Sequence, residues 1–143
     1  MVQTLKDISG VERAPIHPYS FSKPYWEGTR ERKLMLQFCP RARQYQFFPR
    51  PVSIFTGRRD LEWREVDGRG SLYTYTVTVL GPGAFRGHEP YAIGLVELDV
   101  GVRIIGNIVG AEADAIRIGM RVKPHWLPLA DGTHLLMFEP DPA

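Results

Sequence analysis

Four residues sit at intervals that belong to metal chemistry. Cys39-Pro40-Arg41-Ala42 and Ser53-Ile54-Phe55-Thr56 each take a step of three residues, with ten residues between them. That is the spacing of paired zinc knuckles, in which each knuckle gives two thiolates to a tetrahedral metal. Only Cys39 is a thiol here. Alanine has no ligand atom, and neutral serine and threonine hydroxyls are poor zinc donors. One thiolate cannot hold a structural zinc, so Cys39, Ala42, Ser53 and Thr56 read as vestigial ligand positions and zinc is expected to be absent.

Other reactive residues are scattered. His17, His88, His125 and His134 show no i,i+4 pair and no carboxylate at zincin distance, so each reads as a surface or packing histidine. Ser71 follows Gly70 without a nucleophile-elbow motif and reads as a strand residue. The run from Gly81-Pro82-Gly83 to Gly87 approaches a dinucleotide fingerprint, but its third glycine is one place late and no helix follows. Arg41 and Arg43 would favour a Cys39 thiolate, yet no histidine lies near in sequence, so Cys39 reads as a former ligand. The acidic residues show no spacing that identifies an acid and a base. No catalytic residue is expected.

Aromatic and basic residues point instead to binding. Tyr25, Trp26, Trp63, Phe85 and Tyr91 are candidates for a groove, with Arg50, Arg69 or Arg86 facing phosphates. Trp26 and Trp63 read more simply as cement between structural elements. Phe85 and Arg86 lie in a glycine-rich loop, where exposure favours contact with a ligand or partner.

The elements that must position these residues are mainly β. Residues 1–19, with Pro15 and Pro18, read as an extended or frayed arm, open to docking on a neighbour. Ser22 followed by Pro24 marks a helix start, and the helix is expected to fade near Lys33. Residues 34–38 are apolar and bounded by Pro40, which suits a strand. Pro49 and Pro51 place residues 46–52 at an edge or in a loop leaving a hairpin. Residues 61–66 alternate, Asp67-Gly68-Arg69-Gly70 interrupts, and residues 71–80 form the clearest strand. There Tyr73, Tyr75, Val77 and Val79 share one face, expected to be core, and Thr74, Thr76 and Thr78 share the other. Together these read as one long strand bent at glycine. A hairpin is expected from residues 91–98 and 102–109 across Asp99-Val100-Gly101, then a short helix or turn at 111–118 and strands at 120–127 and 135–138. Five strands with a helical insertion match an OB barrel. The expected organisation is an arm and helix (1–33), a degenerate zinc-ribbon-like lobe (34–60), the barrel (61–139) and a loose tail (140–143).

A ribbon this small has too little core to stand alone, which is why zinc usually holds one together. Phe38, Tyr45, Phe47, Phe48, Ile54 and Phe55 are the expected replacements. Burial of one large apolar side chain is worth about 1.5–3 kcal/mol, so several would offset part of the loss, with docking on the barrel or a partner supplying the rest.

The 143 residues are 43% hydrophobic and 24% charged, as in a compact globular chain. A single cysteine excludes an internal disulfide framework and fits a reducing compartment. No apolar leader or bilayer-length segment stands out, so the expected location is the cytoplasm. The net charge of +2 conceals a division: residues 1–60 hold eleven Lys/Arg against five Asp/Glu, and residues 61–143 hold seven against eleven. Arg30, Arg32, Lys33, Arg41, Arg43, Arg50, Arg58 and Arg59 are opposed in their stretch only by Glu31, a lobe that attracts phosphates, acidic partners or nucleic acid.

Several motifs occur in a fixed order: Pro24-Tyr25-Trp26-Glu27-Gly28, Leu34-Met35-Leu36-Gln37-Phe38-Cys39, Phe47-Phe48-Pro49-Arg50-Pro51, Leu61-Glu62-Trp63, Gly68-Arg69-Gly70 and Gly106-Asn107-Ile108-Val109-Gly110. This ordered set, across about residues 20–125, resembles a family of small proteins with a rubredoxin-like zinc ribbon followed by an OB-fold, catalogued as a domain of unknown function. The family usually has four cysteines where this chain has Cys39, Ala42, Ser53 and Thr56. The resemblance implies acyl-CoA metabolism and thiolase-like partners. The expected function is therefore a non-catalytic accessory subunit that binds acyl-CoA, a thiolase-like enzyme, or both, as a hetero-oligomer. Arg41, Arg43, Arg50, Arg58, Arg59, Phe85 and Arg86 are its candidate contact residues. A second expectation is a single-stranded nucleic-acid binder, since OB barrels bind strands through aromatics and a positive groove; the acidic barrel half argues against it. A stand-alone acyl-CoA hydrolase or hydratase lacks an identifiable acid/base pair.

Overall fold

The computed structural model describes residues 4–142. Its one α-helix, α1 (Lys23–Arg30), carries a proline in its first turn and buries Tyr25 and Thr29, four residues apart on one face. It stops three residues before the expected end. Arg32 takes a left-handed φ of 57°, and the amides of Lys33 and Arg32 bond back to the carbonyls of Gly28 and Thr29. This is a Schellman termination with arginine in glycine's usual place.

Three strands follow in a small antiparallel sheet ordered β2-β1-β3: β1 (Leu34–Cys39), β2 (Gln44–Gln46) and β3 (Glu62–Val66). Leu34 and Leu36 alternate on the face of β1 that joins the main core, whereas Gln37 and Cys39 are buried on the other. Five more strands close a barrel in the order β4-β5-β6-β8-β7: β4 (Gly70–Thr78), β5 (Tyr91–Leu98), β6 (Arg103–Ile108), β7 (Arg121–Pro128) and β8 (His134–Pro140). Its first strand pairs with both its second and its fourth, β6 and β8 run parallel, and the short turn at Ala113–Ala115 inserts buried Ile116. That is the OB-fold arrangement expected from the strand pattern.

The lobes share their apolar interior. Tyr25, Leu34 and Leu36 belong to the same buried cluster as Leu72, Val96, Ile104, Val122 and Phe138, with Trp26 and Trp63 packed against it. Both tryptophans therefore act as the expected cement. Thr29 locks the joint, donating through its hydroxyl to the Trp26 carbonyl (2.6 Å) and accepting from the His134 amide (3.2 Å).

Several expectations change here. Residues 61–66 and 71–80 do not form one bent barrel strand: β3 pairs with β1 in the small sheet, and the chain crosses to the barrel between Val66 and Gly70. The shared face of Tyr73, Tyr75, Val77 and Val79 is broken by a bulge between Leu72 and Thr74. One extra residue reverses the alternation. Leu72 is in the core, Tyr75 is half-buried, and Tyr73 stands 46% exposed under the guanidinium of Arg103. The arm docks on its own barrel, burying Ile8 and Val11 with Tyr91, Leu127 and Met137. Nor is residue 140 a loose tail: β8 ends at Pro140, the Asp141 amide donates to the Arg121 carbonyl (2.9 Å), and buried Asp141 faces Arg69.

The crossing point depends on backbone proximity. A Cβ at Gly70 would lie 2.3 Å from the Glu97 carbonyl oxygen. Replacing Gly70 with alanine is expected to lower stability by about 1–3 kcal/mol through overpacking. A urea midpoint equal to that of the parent chain would contradict this close approach.

Candidate functional site

The four positions at knuckle spacing sit on two turns of matching geometry. In the first, the Arg43 amide donates to the Cys39 carbonyl (2.7 Å); in the second, the Gly57 amide donates to the Ser53 carbonyl (2.8 Å). Each turn closes on a left-handed residue, Arg43 at φ 54° and Gly57 at φ 70°. The side-chain pattern repeats as well. The amides of Phe55 and Thr56 donate to Ser53 Oγ (3.1 and 3.3 Å), and those of Arg41 and Ala42 face the Cys39 sulfur.

Cys39 and Ser53 are both buried, and they meet. A hydrogen bond from Ser53, joined by the Ala42 and Arg41 amides, holds the Cys39 thiol below its ordinary pKa. The Ser53 hydroxyl thus accepts two amides beside the Cys39 sulfur. Among the described residues no group of three or more His, Cys, Asp or Glu side chains is placed to share a metal. The donor set does not fit the zinc of a rubredoxin-like ribbon: it offers one thiol, engaged with a hydroxyl.

Apolar packing accounts for only part of the replacement. Phe47 packs against Tyr25 and the core, and Phe38 pairs with Tyr45 at 4.9 Å between ring centroids. The other expected replacements point outward, with Phe48 57%, Ile54 56% and Phe55 41% exposed. Two glutamines hold the loop instead. Gln37 and Gln46 face each other across β1 and β2, are buried, and bond to one another at 3.0 Å. Gln37 Nε2 donates to the Arg50 carbonyl (2.7 Å), and its Oε1 accepts the Arg50 amide (2.8 Å). Gln46 Nε2 donates to the Val52 carbonyl (3.2 Å), and its Oε1 accepts the Ile54 amide (2.9 Å). The segment that brings Ser53 to Cys39 is therefore tied to the sheet through its backbone.

This clamp leaves an apolar surface on a basic lobe. Arg41, Arg43, Arg50, Arg58 and Arg59 are all exposed on the ribbon. Arg41 is drawn to Asp60 at 3.1 Å, while Arg50 and Arg59 line one shallow cleft with Trp63 and Gln37. Phe85 is half-buried in the second apolar cluster, 5.0 Å from the Tyr91 ring, with the Arg13 guanidinium over it. Arg86 is exposed on the adjoining loop.

The sequence reading missed one further pair. His125 on β7 and Glu139 on β8 lie on neighbouring strands, and His125 Nδ1 is 3.2 Å from Glu139 Oε2. Fourteen residues separate them in sequence, so only strand register brings them together.

A small three-stranded sheet that shares its core with an OB barrel defines the class of this protein. Residues 63–127 match the family model described as the ChsH2 C-terminal OB-fold domain. The chain is 30% identical over 101 residues to a DUF35 domain-containing scaffold protein of Pyrococcus furiosus, covering 69% of this chain and 73% of that protein. It belongs to the DUF35 family. A probable enoyl-CoA hydratase alpha subunit of Thermomonospora curvata is 34% identical over 117 residues; the match covers 81% of this chain but spans only 36% of that subunit. Among solved structures, a chain described as Ltp2-ChsH2(DUF35) aldolase superposes with a TM-score of 0.77 at 31% identity, covering 88% of this chain and 98% of that one.

Truncating Gln46 to alanine orphans the Ile54 amide and the Val52 carbonyl. Leaving such buried groups unpaired costs about 1–3 kcal/mol, so the urea midpoint should fall clearly. Phe48→Ala, on the exposed surface, should stay within about 0.5 kcal/mol of the parent. The reverse order would show that apolar packing, and not the glutamine clamp, holds the ribbon.

Proposed function

We propose that this chain is a non-catalytic accessory subunit that docks on an acyl-CoA-processing enzyme of the thiolase-like class, in a hetero-oligomer. One observation carries the reading: Phe48, Ile54 and Phe55 are held outward on a ribbon that also displays five arginines. Exposed aromatics ringed by arginine are the composition of a binding hot spot. A partner with an acidic rim around an apolar pocket complements it, and the arginines would also steer the phosphates of acyl-CoA toward the joint site. The chemistry would be done by the partner's own nucleophile. The names of the relatives, as scaffold proteins, a hydratase subunit and an aldolase assembly, support this reading.

The test is size-exclusion co-elution with a co-encoded thiolase-like enzyme, together with acyl-CoA titration of the chain alone and of the mixture. Association is expected, and Arg58→Glu combined with Phe48→Ser should weaken it at least tenfold (~1.4 kcal/mol). No association with enzyme or acyl-CoA would remove the reading, as would turnover of acyl-CoA by the isolated chain. We also propose that the ribbon is metal-free. Elemental analysis should find no stoichiometric zinc, and a chelator should leave the melting temperature unchanged; one zinc per chain would contradict this.

One observation favours a second reading. Tyr73, exposed beside Arg103 on the barrel, is the kind of stacking platform used for single-stranded nucleic acid. Arg103 also faces Glu97 at 3.6 Å, which reduces its charge toward phosphate. Salt-sensitive binding of an oligonucleotide, lost in Tyr73→Ala, would establish it.

A further inference from the structure

The His125–Glu139 pair does not stand on open surface. It lines a cleft of about 470 Å³ between the N-terminal arm and the barrel, formed by residues of β5, β6, β7 and β8. The volume is in the range of small-molecule sites. Ala92, Ile108, Leu127 and Met137 line it and are buried, giving it an apolar floor. The arm closes one side and is fixed there: the Lys6 amide donates to the Pro90 carbonyl (2.8 Å), and Ile8 is buried in the second cluster.

The polar groups at this cleft are arranged asymmetrically. The Lys6 ammonium reaches the Gly87 carbonyl at 3.3 Å, and Asp7 accepts the Ser9 amide at 2.8 Å, so both are engaged by the protein. In the tautomer that donates Nδ1–H to Glu139, Nε2 carries the free lone pair of the ring. Nε2 has no protein partner among the described residues. Glu112 adds a further carboxylate to the lining. The cleft thus offers hydrogen-bond acceptors over an apolar floor, and among the described residues that line it the carboxylates Asp7, Glu112 and Glu139 outnumber the ammonium of Lys6. A field of that sign opposes phosphates and carboxylates.

We propose that this cleft is a binding site for a small apolar molecule bearing a hydroxyl or amino donor, held by His125 Nε2 over the floor, and that it rejects anions. The site is separate from the ribbon face and does not rest on the accessory-subunit reading. Its lining contains no ribbon residue, and its charge is opposite to the one that would attract the phosphates of acyl-CoA.

Three probes with one apolar body test it: 3-phenylpropan-1-ol, 3-phenylpropylamine and 3-phenylpropanoate, each titrated into the full chain and followed by two-dimensional amide and histidine-ring NMR. The alcohol and the amine are expected to shift the His125 ring and the amides of Leu127 and Met137 along saturating curves, with the propanoate at least fivefold weaker. His125→Phe should abolish alcohol binding while the dispersed barrel signals persist. Glu139→Gln, which keeps an acceptor for Nδ1–H but removes the charge, should weaken the amine at least threefold and the alcohol less. Absence of cleft shifts with all three probes would overturn the proposal. Equal binding of the propanoate, or undiminished alcohol binding in His125→Phe, would do the same. If either variant loses its barrel signals, the parent chain's ranking of the three probes decides.

Discussion

Everything on the ribbon depends on how two buried amide side chains are satisfied. A glutamine in a strand interior is costly unless each of its polar atoms finds a partner. Gln37 and Gln46 meet that condition through each other and through the backbone of the 50–54 segment. Because those partners are main-chain atoms, the clamp fixes the path of the loop and not merely its composition. It delivers Ser53 to Cys39, and it turns Phe48, Ile54 and Phe55 away from the sheet. A metal clip would restrain the same loop from the tips of the two turns. The amide clamp restrains it from the face of the sheet.

The second constraint is that the small sheet buries its apolar residues only in a cluster shared with the barrel. Leu34 and Leu36 of the small sheet pack with Leu72 and Phe138 of the barrel, and α1 closes the joint through Tyr25 and Thr29. Small lobes bury too little surface to stand alone. Sharing the interior ties the backbone of the small sheet to the barrel, which under the proposed docking role gives its arginines and outward aromatics a common platform. That preorganisation is what a docking surface needs, since ordering costs are then met at folding and not at binding.

How far the chain could be read in advance follows from the physics of each element. The hairpin of β5 and β6 was legible because Asp99-Val100-Gly101 is a strong turn between two alternating runs, and Gly101 adopts φ 95° there. β1 and α1 were legible from an apolar run and an N-terminal proline. The face of β4 was not, because a single bulge inverts the parity of every residue beyond it. Nor was the clamp: glutamines in an alternating strand read as a solvent face, and only the register Gln37 opposite Gln46 reveals them as a pair. The same limit hid His125 and Glu139. The expectation that apolar packing holds this lobe failed for three of six side chains, since Phe48, Ile54 and Phe55 stand exposed.

Amide hydrogen exchange on the chelator-treated chain tests the central claim most directly. The amides of Arg50, Ile54 and Gly57 each donate to a ribbon acceptor, to Gln37, Gln46 and the Ser53 carbonyl respectively. If hydrogen bonds alone hold the knuckles, all three should exchange far more slowly than an unstructured peptide and remain unchanged when zinc is added. Exchange at the unstructured rate, slowed only by added metal, would contradict the account.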